Sequence, residues 1–387
     1  MTASPPLKAL SEAGQAVWLD YLHPDLMSSG KLARLIAEDQ LTGLTSNPSI
    51  FEKAIGDGDV YDARIGELVD RGVTEPGEIF ERLAVADIQA AADVFRPTFD
   101  RLGGRDGYVS LEVSPKLAHD ATGSIAEARR LWKAVDRPNL MIKIPGTREG
   151  APAIQALIAE GINVNVTLLF GIDAYLAVAE AHAAGLEAFK AGGGNVGAVH
   201  GVASFFVSRI DTAIDKAVDE KLQGADAVTT QRLKAVRGRV AIANAKMAYQ
   251  HYLQLASTER WRALEHAGAA PQRLLWASTS TKDPAFPELL YAEALIGPET
   301  VDTLPPKTLD AFREHGKVAQ TLVDDVAGAR QVLSETEALG LDLDAVTDRL
   351  VDEGVEAFEK AFETLLAAVA DKQAKIGKHH SGRRASA

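Results

Sequence analysis

The stretch Asn139–Thr147, NLMIKIPGT, decides how the rest of the chain is read. Leu140, Ile142 and Ile144 alternate with Met141, Lys143 and Pro145, and Pro145-Gly146 ends the run. Side chains on a strand alternate between its faces, so the three aliphatics share one face and Lys143 shares the other with Met141. If the aliphatic face packs on helices, Lys143 points into the opposite, equally enclosed space. A desolvated amine holds its charge less readily than a solvated one, and a neutral amine in a pocket attacks a carbonyl to make a Schiff base. The plain alternative is a lysine at a strand end that snorkels its ammonium to water. The surrounding chain decides between the two.

Composition narrows the class. The chain has 387 residues, enough for a large core, with 46% hydrophobic and 25% charged residues, as in an ordinary globular protein. A net charge of −13 argues against general binding to nucleic acid or an anionic membrane, though a local basic spot for a small anion remains open. With no cysteine there is no disulfide, thiolate nucleophile or Cys-ligated metal. The opening MTASPPLKALSEAG lacks the basic and apolar regions of a secretory signal, and no apolar run approaches a membrane span. The expectation is a cytoplasmic enzyme or binding protein.

Outward from Lys143, short strand-like runs alternate with long amphipathic stretches. Strands are expected at 16–20, 43–47, 108–113, 140–145, 162–168, 198–206, 273–278 and 300–305. Helical patterns lie between them, for example at 31–40, 78–95 and 174–190. Such alternation implies parallel strands with crossover helices, and eight units suit a single closed (β/α)8 TIM barrel of the α/β class. The longest insert, 207–272, falls between the sixth and seventh strands and reads as wholly helical. Further helices are expected at 307–315, 321–338 and 343–375. The expectation is one domain over 1–377 and a disordered basic tail, KHHSGRRASA, over 378–387.

Several strands repeat the pattern seen around Lys143. Val164, Val166 and Leu168 oppose Asn163, Asn165 and Thr167; Val109, Leu111 and Val113 oppose Tyr108, Ser110 and Glu112; Val17 and Leu19 oppose Trp18 and Asp20. An outer face packed on helices should be aliphatic, so the polar groups point into the barrel, where unpaired polar atoms are costly. Barrel active sites lie at the carboxyl ends of the strands. By that rule the strand ends supply Asp20, Asn47, Glu112, Lys143, Asn165 with Thr167, Ser204 and Ser278. A lysine could form an imine, carboxylates could move the protons, and amides and hydroxyls could hold sugar hydroxyls or a water. Each residue also has a plainer reading. Asp20 could cap the turn that follows, Glu112 could pair with a loop cation, and Asn47, before Pro48, could cap a helix. Their joint position at strand ends carries the weight.

These residues also carry a resemblance. LTGLTSNPSIF (41–51), VSLEV (109–113), LMIKIPGT (140–147), GINVNVTLLF (161–170) and SFFVSRID (204–211) resemble, in order, the transaldolases, most closely the longer bacterial type. These are Schiff-base (class I) aldolase-type enzymes of the pentose phosphate pathway. The resemblance implies a circularly permuted class I aldolase barrel, with Lys143 as the Schiff-base nucleophile and Asp20 as the acid/base at carbon–carbon cleavage. Glu112 and Thr167 would hold and activate the water of imine chemistry. Asn47, Asn165 and Ser204 would bind the three-carbon dihydroxyacetone unit, Phe206 would wall the pocket, and Arg209 would bind phosphate. It implies sugar-phosphate substrates, no cofactor, and a monomer or homodimer.

There are departures. Where many transaldolases carry a second phosphate-binding arginine, WASTSTKDP (276–284) has Ser280, so Ser278, Ser280 and Lys282 are the expected donors. The helical insert and the C-terminal helices exceed a minimal transaldolase and receive no chemistry. Gly192-Gly193-Gly194 precedes a strand, which places it on the amino-terminal face as a structural turn. The nine histidines show no metal-ligand spacing, and His379-His380 falls in the tail, so a metal-dependent aldolase is disfavoured. The rival functions are a fructose-6-phosphate aldolase, whose small members lack the glutamate equivalent to Glu112, and a catalytically inactive phosphosugar-binding barrel.

Overall fold

The computed structural model describes residues 4–384. Eight parallel strands close into a barrel in sequence order: β1 (Gln15–Asp20), β2 (Gly43–Thr45), β3 (Tyr108–Glu112), β4 (Leu140–Pro145), β5 (Val164–Leu169), β6 (Gly201–Phe206), β7 (Arg273–Ala277) and β8 (Thr300–Leu304). Closure is made by β1 and β8, with Gln15 to Leu19 in register with Thr300 to Leu304. The α/β barrel expected from the alternation is therefore the fold. The strands lie where the sequence places them, shorter at most ends because the flanking residues turn into loops.

The outward aliphatics of β4, Leu140, Ile142 and Ile144, are fully buried, as are Val164 and Val166 of β5. Helices after each strand cover them, including Ala121–Val135, Gly150–Ala159 and Ile172–Ala191. One position breaks the alternation. Leu168 has φ +59, and the register between β5 and β6 shifts between Val166 and Leu169. This bulge turns Leu168 toward the C-terminal helix, where a Cβ on Gly354 would lie 2.9 Å from its Cδ2. Bulges of this kind re-aim side chains at barrel rims. Asn163 departs differently: it precedes β5 and ties strand ends together, donating to Pro138 and Leu140 carbonyls and accepting from His200 N–H.

The amino-terminal end of the barrel is plugged. Trp18 Nε1 donates to Asp106 Oδ1 at 2.8 Å, and Arg273 donates to Asp106 Oδ2 at 3.0 Å. The Trp18 and Tyr108 rings lie 6.4 Å apart. β2 opens on Gly43 because a Cβ there would fall 2.4 Å from the Trp18 indole. Gly192–Gly194 also lies on this face, as a turn between the helix after β5 and β6, with Gly193 at φ +85. This closed floor leaves the carboxyl mouth as the open end.

The insert after β6 is helical throughout: Ser208–Leu222, Ala227–Val236, Val240–Ala256 and Glu259–Glu265. Two buried carboxylates pin its turn, Asp211 accepting from Ala241 N–H and Asp215 from Gly238 N–H. After β8 come Pro306–His315, Val326–Ala338 and Leu343–Arg384. The stretch expected as one helix over 321–338 is a short 3-10 turn, Thr321–Val323, then a separate helix that begins where Asp325 accepts from Gly328 N–H. The last helix lies across the helices that follow β2 and β6, held by Lys372 against Gly58 O and Asp62 and by Phe362 against Phe80. Its backbone is helical to Arg384, into the tail expected from residue 378, and no proline interrupts it. Residues 385–387 of that expected tail lie outside the described residues.

Candidate active site at the carboxyl end of the barrel

Register brings the polar interior together. Glu112, Lys143 and Asn165 stand side by side across β3, β4 and β5. Lys143 Nζ donates to Ser46 O at 2.9 Å and lies 3.2 Å from Glu112 Oε2, with only 6% and 5% of the two side chains exposed. The amine does not snorkel to water. Its alignment with Glu112 is that of an ion pair rather than a directed hydrogen bond, and neither Glu112 oxygen has a hydrogen-bond partner in the protein. The Thr167 hydroxyl is likewise buried and unpartnered. Buried oxygens left this way are costly, so they are the natural anchors for a water or a substrate atom.

Asp20 ends β1 and accepts from Thr45 Oγ1 at 2.8 Å; Thr45 in turn meets Thr303 Oγ1 at 2.8 Å. Burial raises the Asp20 carboxyl above its usual range, while Lys143, the Thr45 hydrogen bond and Lys282 oppose the rise. Burial raises Glu112 too, opposed by Lys143 and reinforced by the charge of Asp20. Two acids around one amine, each favoured in its neutral form by burial, are placed to accept and return protons.

Asn165 is fully buried and does not reach the open cleft. Its amide nitrogen donates to Ser110 Oγ at 3.0 Å and its oxygen accepts from Ser204 Oγ at 2.7 Å. It therefore orients Ser204 from below. Asn47 caps the helix Pro48–Gly56 by accepting from Ile50 N–H at 3.0 Å, so the plain reading of this residue holds. It lines the cleft as well, which leaves its Nδ2 as the group free to donate to a ligand.

The cleft has a volume of about 770 Å³ and is lined by Asp20, Asn47, Lys143, Thr167, Ser204 and Phe206, with Arg209, Ser278, Ser280 and Lys282 at one side. Glu112 meets Lys143 from behind this wall and lines a smaller adjoining cavity with Ser46, Phe80 and Phe362. Arg209, in the first turn of the helix after β6, lies 5.7 Å from the Phe206 ring centroid. Burial lowers its proton affinity, and Glu353 of the C-terminal helix opposes that. Lys282 Nζ donates to Ser280 Oγ at 2.7 Å. Burial and then the Arg209 charge lower the Lys282 pKa, and Asp20 raises it. Ser278 has φ +56, and its hydroxyl meets Ser208 Oγ at 2.9 Å, joining the end of β7 to the helix after β6.

Sequence reasoning missed Lys53, Lys307, Tyr21 and Phe358, all of which line the cleft. Lys307 follows Pro305-Pro306 directly after β8, so the strand-end rule could have reached it. Phe358 comes from the C-terminal helix, and nothing local in its sequence signals that position. Among the described residues no cluster of His, Asp and Glu could hold a metal ion, and no helix is long and apolar enough to cross a membrane. The side chains of His379 and His380 lie outside the described residues.

The fold and the placement of the polar interior are those of the (β/α)8-barrel enzymes, which carry their chemistry at the carboxyl mouth. A family model described as Transaldolase/Fructose-6-phosphate aldolase matches residues 17–369. Over 370 residues the chain is 48% identical to a transaldolase of Thermobifida fusca, covering 95% of this chain and 98% of that protein. It is 46% identical over 375 residues to a transaldolase of Frankia alni, covering 97% and 99% respectively. A transaldolase of Trichodesmium erythraeum is 44% identical over 375 residues, covering 96% and 98%. The chain belongs to the transaldolase/fructose-6-phosphate aldolase family.

The buried pair makes a stability prediction. Replacing Lys143 with Met leaves the Glu112 carboxylate without its counter-charge. A carboxyl whose folded pKa is raised favours folding when protonated and loses that contribution as pH rises through the raised value. Lys143→Met should therefore cost about 3–5 kcal/mol near pH ~8 and distinctly less near pH ~5, as read by urea unfolding at the two pH values.

Proposed function

We propose that the chain is a transaldolase that moves a dihydroxyacetone unit between sugar phosphates through an imine on Lys143. The observation that carries this reading is the enclosed Lys143 amine in contact with Glu112, on the wall of a cleft that also holds Asp20, Arg209 and Lys282. The donor is sedoheptulose 7-phosphate or fructose 6-phosphate, and the acceptor is glyceraldehyde 3-phosphate or erythrose 4-phosphate. In this reading the reaction belongs to the pentose phosphate pathway of the cytoplasm, needs no cofactor, and is run by a monomer or homodimer.

The Lys143 amine adds to the donor's C2 carbonyl, and loss of water gives the imine. Glu112 and Thr167, whose buried oxygens have no other partner, hold that water and pass its protons. Asp20 takes the proton from the C4 hydroxyl as the C3–C4 bond breaks, and the bonding electrons move into the protonated imine. The departing aldehyde leaves a three-carbon enamine on Lys143. The acceptor aldehyde then takes the same path in reverse: its carbonyl carbon bonds to the enamine, Asp20 returns the proton, and water hydrolyses the new imine. Asn47 and Ser204 hold the hydroxyls of the three-carbon unit, with Asn165 fixing Ser204. Phe206 walls the pocket. Arg209 binds the phosphate with Lys282, Ser278 and Ser280, Lys282 taking the place of a second arginine.

Borohydride reduction in the presence of fructose 6-phosphate should leave a three-carbon adduct on Lys143, located by intact mass and peptide mapping. Adding erythrose 4-phosphate should diminish it. An adduct indifferent to acceptor points to fructose-6-phosphate aldolase instead, and no adduct on folded protein removes the Schiff-base reading in favour of a phosphosugar-binding barrel.

Two substitutions separate chemistry from binding. Glu112→Gln should lower kcat by about 10²–10⁴-fold while circular dichroism shows the native fold; turnover near that of the parent enzyme would take Glu112 out of the mechanism. Lys282→Ala should raise KM for phosphorylated substrates by about 10–100-fold, as expected for losing a charged hydrogen bond, with kcat within a few-fold. An unchanged KM would take Lys282 out of the phosphate site.

A further inference from the structure

The C-terminal helix Leu343–Arg384 crosses the strand ends in a fixed order. Gly354 sits on Leu168 of β5, where an added Cβ would fall 2.9 Å from Leu168 Cδ2. About two turns further on, Phe362 lines the small cavity behind Glu112 at the end of β3 and packs edge-on against Phe80, ring centroids 5.7 Å apart. Glu363 then reaches Lys116, in the turn after β3, at 3.3 Å. Beyond that, Lys372 ties the helix to Gly58 O and Asp62.

Residues four apart on a helix share a face, so Gly354, Phe358 and Phe362 form one row. From the helical rise the row spans about 12 Å, and β5 and β3 lie about 10 Å apart across β4. Phe358, midway, therefore stands over the end of β4, the strand of Lys143. Its side chain is buried, 6% exposed, and lines the main cleft with Lys143 and Thr167. A phenyl ring offers water neither donor nor acceptor, and an ordered water needs several polar partners.

On the imine reading proposed above, on which this step rests, the three-carbon enamine left on Lys143 has two fates. It can attack an acceptor aldehyde through C3, which is transfer. It can instead take a proton from solvent at C3, while Asp20 returns to solvent the proton it took from the C4 hydroxyl. Water then adds at C2, the carbon–nitrogen bond breaks, and free dihydroxyacetone leaves the regenerated amine. Departure of the first aldehyde uncovers C3 toward the mouth, so the outcome turns on whether water can stand in the vacated space. We infer that Phe358 decides between transfer and release, its ring keeping water from C3 so that the bound unit waits for an aldehyde. The residue touches no proton in the reaction; it sets specificity by closing the site from outside the barrel.

The test gives the full-length enzyme and its variants fructose 6-phosphate and erythrose 4-phosphate in D2O. Free dihydroxyacetone is measured against sedoheptulose 7-phosphate, with deuterium in the released dihydroxyacetone reporting protonation at C3. Phe358→Ala should raise the ratio of release to transfer by about tenfold or more, and Phe358→Leu, which keeps an apolar wall, should stay within about threefold of the parent. An unchanged ratio in a Phe358→Ala enzyme that still gives the borohydride-trapped adduct on Lys143 overturns the inference alone. So does a ratio that rises equally in Phe358→Leu, or released dihydroxyacetone without deuterium. A parent enzyme that traps no adduct overturns the imine reading and this inference with it. Should Phe358→Ala not fold, Phe358→Val opens the same wall with less loss of volume, and a ratio within about twofold of the parent then overturns the inference.

Discussion

The contact between Lys143 and Glu112 sets the terms for the interior of this barrel. Removing two charges from water costs several kcal/mol per ion, and the cost is offset only when the pair is close and its remaining valences are met. Lys143 meets that condition through Ser46 O and Glu112; Glu112 does so incompletely. The rest of the molecule shields this pair. The Trp18–Asp106–Arg273 plug seals the barrel below it, aliphatic faces and helices enclose the sides, and the C-terminal helix crosses beside the mouth. The unmet oxygens of Glu112 and Thr167 then mark where bound water or substrate completes the arrangement.

The cleft is electrically uneven in a way that suits an anionic sugar. Carboxylates and the amine occupy the barrel axis, and Arg209 and Lys282 stand to one side. Burial lowers the proton affinity of both cations, and each is countered by one acid: Glu353 for Arg209, Asp20 for Lys282. Lys282 is thereby coupled to the charges of both Arg209 and Asp20. The C-terminal helix contributes Glu353 to this balance and Phe358 to the wall. Its presence converts an open barrel mouth into a bounded cleft.

Much of this could be read from residues in a row. The alternation in LMIKIP placed Lys143 inside because a strand's two-residue period leaves no other choice once one face is aliphatic. The same period placed Asp20, Glu112 and Thr167 at the carboxyl mouth. Where the period fails, the reading failed with it: Leu168 sits on a bulge with φ +59, and Asn163 lies before its strand. That Asn165 accepts from Ser204 Oγ was not legible in its own strand, because the partner comes from the neighbouring one.

The sequence by itself determined the barrel, the inward lysine and its carboxylates, because strand period and helix alternation are local properties that each segment carries alone. Only the tertiary structure decided what surrounds them. Phe358 reaches the cleft, and Glu353 an adjoining cavity beside Arg209, because a helix more than 200 residues beyond Lys143 folds back over the barrel. The charges of Lys282 and Asp20 act on each other because β7 and β1 flank β8 in a closed ring. Such neighbours depend on closure and packing between distant segments, and no window of sequence contains both partners.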